Sequence, residues 1–167
     1  MNALRTLDRF IAGFCKIGCV TMLAALFLLL AASVILRLLP LFTISGYDEI
    51  VELLFIWIVM LATVSLWREG MLYRVEVLDT MLPPRGRLVM AVLINLLMFG
   101  FAAMMVWYGW AFAAAAGETT PFLRLDKIYW YTAIPLCSAL MAVYSLVWLW
   151  RILWLGEDPH RESNLLS

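Results

Sequence analysis

Residues 17–36 read IGCVTMLAALFLLLAASVIL, twenty positions without a charged side chain. At about 1.5 Å of rise per residue, a helix of that length covers about 30 Å, the thickness of a bilayer's hydrocarbon core. A cleaved signal peptide competes for this stretch, because Arg5, Arg9 and Lys16 precede it and Ala31, Ala32 and Ser33 are small. The run outlasts the apolar core of about 7 to 15 residues that a signal peptide needs and continues past those small residues. It therefore reads as an uncleaved span.

Working outward, residues 53–67, 88–116 and 128–150 are also uncharged. The second is short and reaches across a bilayer only if its helix begins near Asp48. The expected spans are 17–38, 48–67, 88–116 and 128–154, in one membrane domain over 1–167 with a polar tail at 156–167. Composition agrees: 65% of the 167 residues are hydrophobic and 14% charged, against roughly 25% charged in a soluble domain. A net charge of zero offers nothing to attract nucleic acid.

The placement of charge is more informative than its sum. Arg5, Arg9, Lys16, Arg68, Arg74, Arg85, Arg87, Arg151 and Arg161 fall on one side of the four spans, and Arg37, Arg124 and Lys127 on the other. The positive-inside rule puts the first group, and both termini, in the cytoplasm. Aromatic residues mark the span ends: Trp67, Trp107, Tyr108, Trp110, Tyr129 to Tyr131, Trp148, Trp150 and Trp154. Before the first span, Leu4, Leu7, Phe10, Ile11 and Phe14 share a helix face opposite Arg5, Arg9 and Lys16, and Met71, Val75, Leu78 and Leu82 repeat the pattern after the second. The expected fold is an all-α membrane protein of four transmembrane helices, N-in and C-in. Amphipathic helices would lie on the cytoplasmic surface at 4–16 and 70–82, the second stopped by Pro83 and Pro84.

Candidate chemistry is sparse. His160 is the single histidine and lies in the tail, so a haem held by two histidines or a multi-histidine metal site within the chain is excluded. Cys15 and Cys19 are expected near the inner surface and Cys137 nearer the outer one, with no CxxC spacing. Neither catalytic residue, cofactor nor metal is expected. Asn95 is a polar group inside a span and suits an interhelical hydrogen bond. Gly100 and Gly109 suit close helix packing, and Pro135 a mild kink.

The sharpest feature is acidic. Asp48, Glu49 and Glu52 lie three and four residues apart, so their carboxylates crowd one side of a helix at its outer membrane entry. Carboxylates are costly in hydrocarbon and should stay at the headgroups or meet a cation, of which Arg37, Arg124 and Lys127 are the choices on that face. Three readings stay open: acids favoured by the helix N-terminal dipole, a docking surface, and an ion-coupling site.

The segments Gly46-Tyr47-Asp48-Glu49-Ile50, Trp57, Arg68-Glu69-Gly70, Arg74-Val75-Glu76, Thr120-Pro121-Phe122-Leu123 and Tyr131-Thr132-Ala133-Ile134-Pro135 resemble the small membrane subunit (Q subunit, DctQ-like) of tripartite ATP-independent periplasmic (TRAP) transporters. The resemblance covers roughly residues 5–155. It departs from the common family pattern at Leu72 and Glu76, where a histidine and an aspartate are usual. The resemblance implies a non-catalytic subunit of the bacterial inner membrane, in a sodium-coupled system importing organic acids. Its partners would be a large membrane subunit (M subunit) and a periplasmic substrate-binding protein. Asp48, Glu49, Glu52, Arg37 and Arg124 become candidates for an outer docking surface, and Asn95, Gly100 and Gly109 for helix packing. The competing reading is a stand-alone homodimeric multidrug or ion exporter working through Glu52. The charge asymmetry and the edge position of Glu52 count against it.

Overall fold

In the computed structural model, residues 2–38, 46–70 and 83–155 are described. Among them the chain is helical: α1 (Asn2–Leu38), α2 (Tyr47–Arg68), α3 (Pro84–Ala115), α4 (Ile128–Tyr131) and α5 (Ala133–Leu155). An isolated antiparallel bridge between Thr119 and Asp126 is the exception. Four stretches are long and apolar enough to cross a membrane: Asp8–Leu36, Tyr47–Arg68, Leu88–Ala115 and Ile128–Ile152.

The arm expected at 4–16 and the span expected at 17–38 are one helix, α1, which runs unbroken for 37 residues. No proline interrupts it, and Gly13 and Gly18 weaken a helix without ending it. At about 56 Å it exceeds the hydrocarbon thickness and must tilt or extend beyond the bilayer. The amphipathic segment expected at 70–82 falls, after Gly70, outside the described residues, as does the polar tail. Gly70, at φ 69°, is in the left-handed region that closes α2, its N–H donating to the Trp67 carbonyl. Pro84 opens α3 rather than merely ending what precedes it, since a proline in the first turn removes an N–H that has no helical partner anyway.

The fourth span is split. Pro135 has no N–H to offer the Tyr131 carbonyl, and the helix breaks at Thr132 into α4 and α5. The chain stays continuous because the Leu136 N–H reaches the Thr132 carbonyl at 3.2 Å and the Thr132 hydroxyl donates to the Ile128 carbonyl.

The helices pack as an open row, α1 on α2, α2 on α5 and α5 on α3. None of the most apolar window of α1 is buried, against 33% of that of the α4–α5 span. Two glycines set the approach distances. A Cβ on Gly18 would stand 3.3 Å from the Leu61 side chain, and one on Gly109 would meet Ile134 at 3.2 Å and Pro135 at 3.3 Å. Cys15, Leu61, Val64, Trp67, Ala102, Cys137 and Met141 form the buried cluster. Cys137 is buried in the same cluster as Cys15.

Gly109 and Gly100 carry opposite expectations. Nothing lies within 4 Å of a Cβ on Gly100. Gly109→Leu should force α3 from α5 and lower stability by about 1–3 kcal/mol, read as a drop in melting temperature in detergent, with Gly100→Leu close to neutral. Equal losses at both positions would contradict this packing.

Candidate functional site

Polar side chains concentrate at the two opposite ends of the helices. At one end, Gly46 precedes α2 at φ 89°, a conformation that costs an L-residue about 1–2 kcal/mol. The Phe122 Cβ lies only 2.9 Å from where a Gly46 Cβ would stand. This close approach brings the 118–127 connection over the start of α2. The Glu49 carboxylate accepts the Phe122 N–H at 2.8 Å on one oxygen and the Leu123 N–H at 3.0 Å on the other. With 7% of its surface exposed, Glu49 is committed to the protein's own backbone.

The connection is tied within itself as well. The Thr120 N–H donates to the Leu125 carbonyl at 2.9 Å, and the Leu125 N–H to the Thr120 hydroxyl at 3.0 Å. Arg124 adopts φ 51° between them. Lys127 pairs with Glu118 at 3.1 Å, and that carboxylate raises the lysine pKa above its ordinary value. Trp57 adds a tie from α2, its indole N–H reaching the Tyr129 carbonyl at 3.2 Å. Phe122, Leu123 and Leu125 remain exposed on this fastened loop.

At the other end, Arg68 grips Asp8 with two parallel bonds, Nε to Oδ1 at 2.7 Å and Nη2 to Oδ2 at 2.6 Å. The Tyr144 hydroxyl donates to the same Oδ1 at 3.1 Å. One carboxylate therefore joins α1, α2 and α5. A planar guanidinium matches a carboxylate with both geometry and charge. Just inside, the Trp67 indole N–H donates to the Ser145 hydroxyl at 3.0 Å.

The sequence candidates divide accordingly. Asp48, Glu52 and Arg124 are exposed, whereas Glu49 faces inward. Arg37 lies in the last turn of α1, its side chain outside the described residues. Asn95 is buried in α3 but forms no side-chain hydrogen bond with a described residue, Gly109 is in close packing, and Gly100 faces open space. Among the described residues, no group of three or more His, Cys, Asp or Glu could hold a metal ion. Asp8, Tyr144 and Ser145 were not singled out by sequence, and Thr120 only as part of the segment that carries the family resemblance. Asp8 carried a usable signal, as the one acid among Arg5, Arg9 and Lys16.

Glu49→Gln keeps the size but replaces one acceptor oxygen by an NH2 that faces a donor. Faster hydrogen exchange at the Phe122 and Leu123 amides should follow, while Asp48→Asn leaves them protected. At the opposite end, Asp8→Asn should lower stability by about 1.5–3 kcal/mol, the scale of a hydrogen bond to a charged group. Thermal unfolding of Asp8→Asn beside the exposed Glu69→Gln checks this, with loss expected in the first alone.

Among curated proteins none matches the chain. A family model described as "Tripartite ATP-independent periplasmic transporters, DctQ component" matches residues 5–154, and these include all four helices able to span a membrane. The chain therefore belongs to the DctQ component family, the small permease component of tripartite ATP-independent periplasmic transporters.

Proposed function

We propose that this chain is the non-catalytic scaffold subunit of a sodium-coupled, binding-protein-dependent secondary transporter that imports organic acids. It packs beside the large membrane subunit in the bacterial inner membrane and helps dock the periplasmic binding protein. The observation that carries the reading is how the polar groups at the ends of the spans are used. Glu49, Asp8, Arg68, Tyr144, Trp67 and Ser145 tie helices and a loop of the same chain to one another. Groups engaged in this way hold a frame in shape, and the substrate and sodium sites are assigned to the large subunit.

Charge orients the frame. Nine Lys or Arg residues on one side against three on the other favour both termini in the cytoplasm. The Asp8–Arg68–Tyr144 end then faces inward and the Glu49 loop outward. In this reading the inner turns of α1 lie along the cytoplasmic surface. The outer face presents Asp48, Glu52 and Arg124 to partners, with Arg37 close in the chain order. Glu49 contributes indirectly, by holding the 118–127 loop that carries Arg124.

Two measurements test the reading. Affinity capture of the tagged chain in mild detergent should recover a larger membrane subunit, and purification as a homodimer that transports by itself would sink the proposal. In the reconstituted three-component system, Asp48→Asn combined with Glu52→Gln and Arg124→Gln should slow uptake severalfold without lowering the melting temperature. Unchanged uptake would remove these three residues from the docking surface.

A further inference from the structure

Between α1 and α2, at the end that holds the Asp8–Arg68 pair, lies a groove enclosing ≈ 570 Å³, far larger than a packing defect. Its floor is shaped by small residues. Gly13 on α1 faces Ala62 and Ser65 on α2, and a Cβ on Gly13 would touch nothing within 4 Å. The groove runs from apolar to charged along the helices. Cys19, Val20 and Ala62 line it on the membrane side, and Arg68 and Glu69 stand at the end nearer Asp8, with Lys16 between.

The charges are unevenly matched. Arg68 is engaged by Asp8. Lys16 is exposed and forms no ion pair with a described residue, and neither does Arg9, which lies seven residues earlier on the same helix face. Gly13 sits between the two, so both long side chains can converge at its level while their stems lie along the helix. With Glu69 as the one further carboxylate at the mouth, the group retains a single net positive charge. It stands beside a slot that continues into hydrocarbon.

We propose that this groove binds an anionic glycerophospholipid. The phosphodiester would sit over Gly13 between Arg9 and Lys16, within reach of the Ser65 hydroxyl, and an acyl chain would run past Cys19, Val20 and Ala62. A monoanionic phosphate ester carries the complementary charge, and only a lipid supplies both the anion and the chain that the apolar half accepts. Basic pockets between membrane helices bind anionic headgroups by this combination. The proposal rests on the groove and its charges and does not depend on which transporter subunits the chain meets.

The test is lipid retention. The purified chain is equilibrated in mixed bilayers of phosphatidylglycerol and phosphatidylethanolamine, extracted in mild detergent, and its bound lipid identified by native mass spectrometry. Phosphatidylglycerol should be enriched over its share of the bilayer. Arg9→Gln with Lys16→Gln should reduce that enrichment by about fivefold per charge removed. Gly13→Leu should displace lipid of either kind from the groove with both cations intact, and circular dichroism checks that helix content is kept. Retention in proportion to the bilayer, or full enrichment in the Arg9→Gln/Lys16→Gln variant, overturns the proposal.

Discussion

Inside hydrocarbon a polar group that does not bond within the protein bonds to nothing, and the arrangement of this chain follows from that constraint. Helices satisfy their own backbones except at their ends and breaks. The 118–127 connection bends back over α2, and two of its N–H groups find the Glu49 carboxylate. A carboxylate at that depth would be costly if bare; with two backbone donors it becomes a fastening point. The same logic holds at the opposite end, where Asp8 and Arg68 neutralise each other and accept a third helix through Tyr144.

These ties matter more because the helices form a row rather than a closed bundle. A row buries little, and no residue in the most apolar window of α1 is fully buried, although Cys19 and Met22 pack against the core. Association of helices in lipid has no hydrophobic drive of its own, so it relies on close packing and a few polar bonds. Gly18 against Leu61 and Gly109 against Ile134 and Pro135 supply the packing, and the two terminal ties supply the bonds. A row with exposed flanks suits the scaffold role proposed for the chain.

Much of this was legible in the order of residues. The four uncharged runs identified four spans because the cost of charge in hydrocarbon excludes other readings of such lengths. Pro135 announced a kink where the structure has a full break, and Gly109 a close approach. Other signals were weaker. Asp48, Glu49 and Glu52 look alike in sequence, and helical spacing of three and four residues gave no reason to separate them. Asp8 stood out only as an acid among bases, with nothing to say that its partner lay sixty residues away. The stretch at 4–16 joins the first span in one continuous helix for a local reason, since no residue there stops a helix.

By itself the sequence determined the number of spans, because hydropathy and charge placement act along the chain at short range, and its short motifs carried the resemblance to the family. The tertiary structure alone decided which acid turns inward, which glycine touches a neighbour, and that α2 and α5 form the middle of the row. Those outcomes depend on distances between residues far apart in the chain. Glu49 shows the difference most plainly. Its type and position placed it at the membrane edge, but its role was set by two N–H groups of a loop more than seventy residues later.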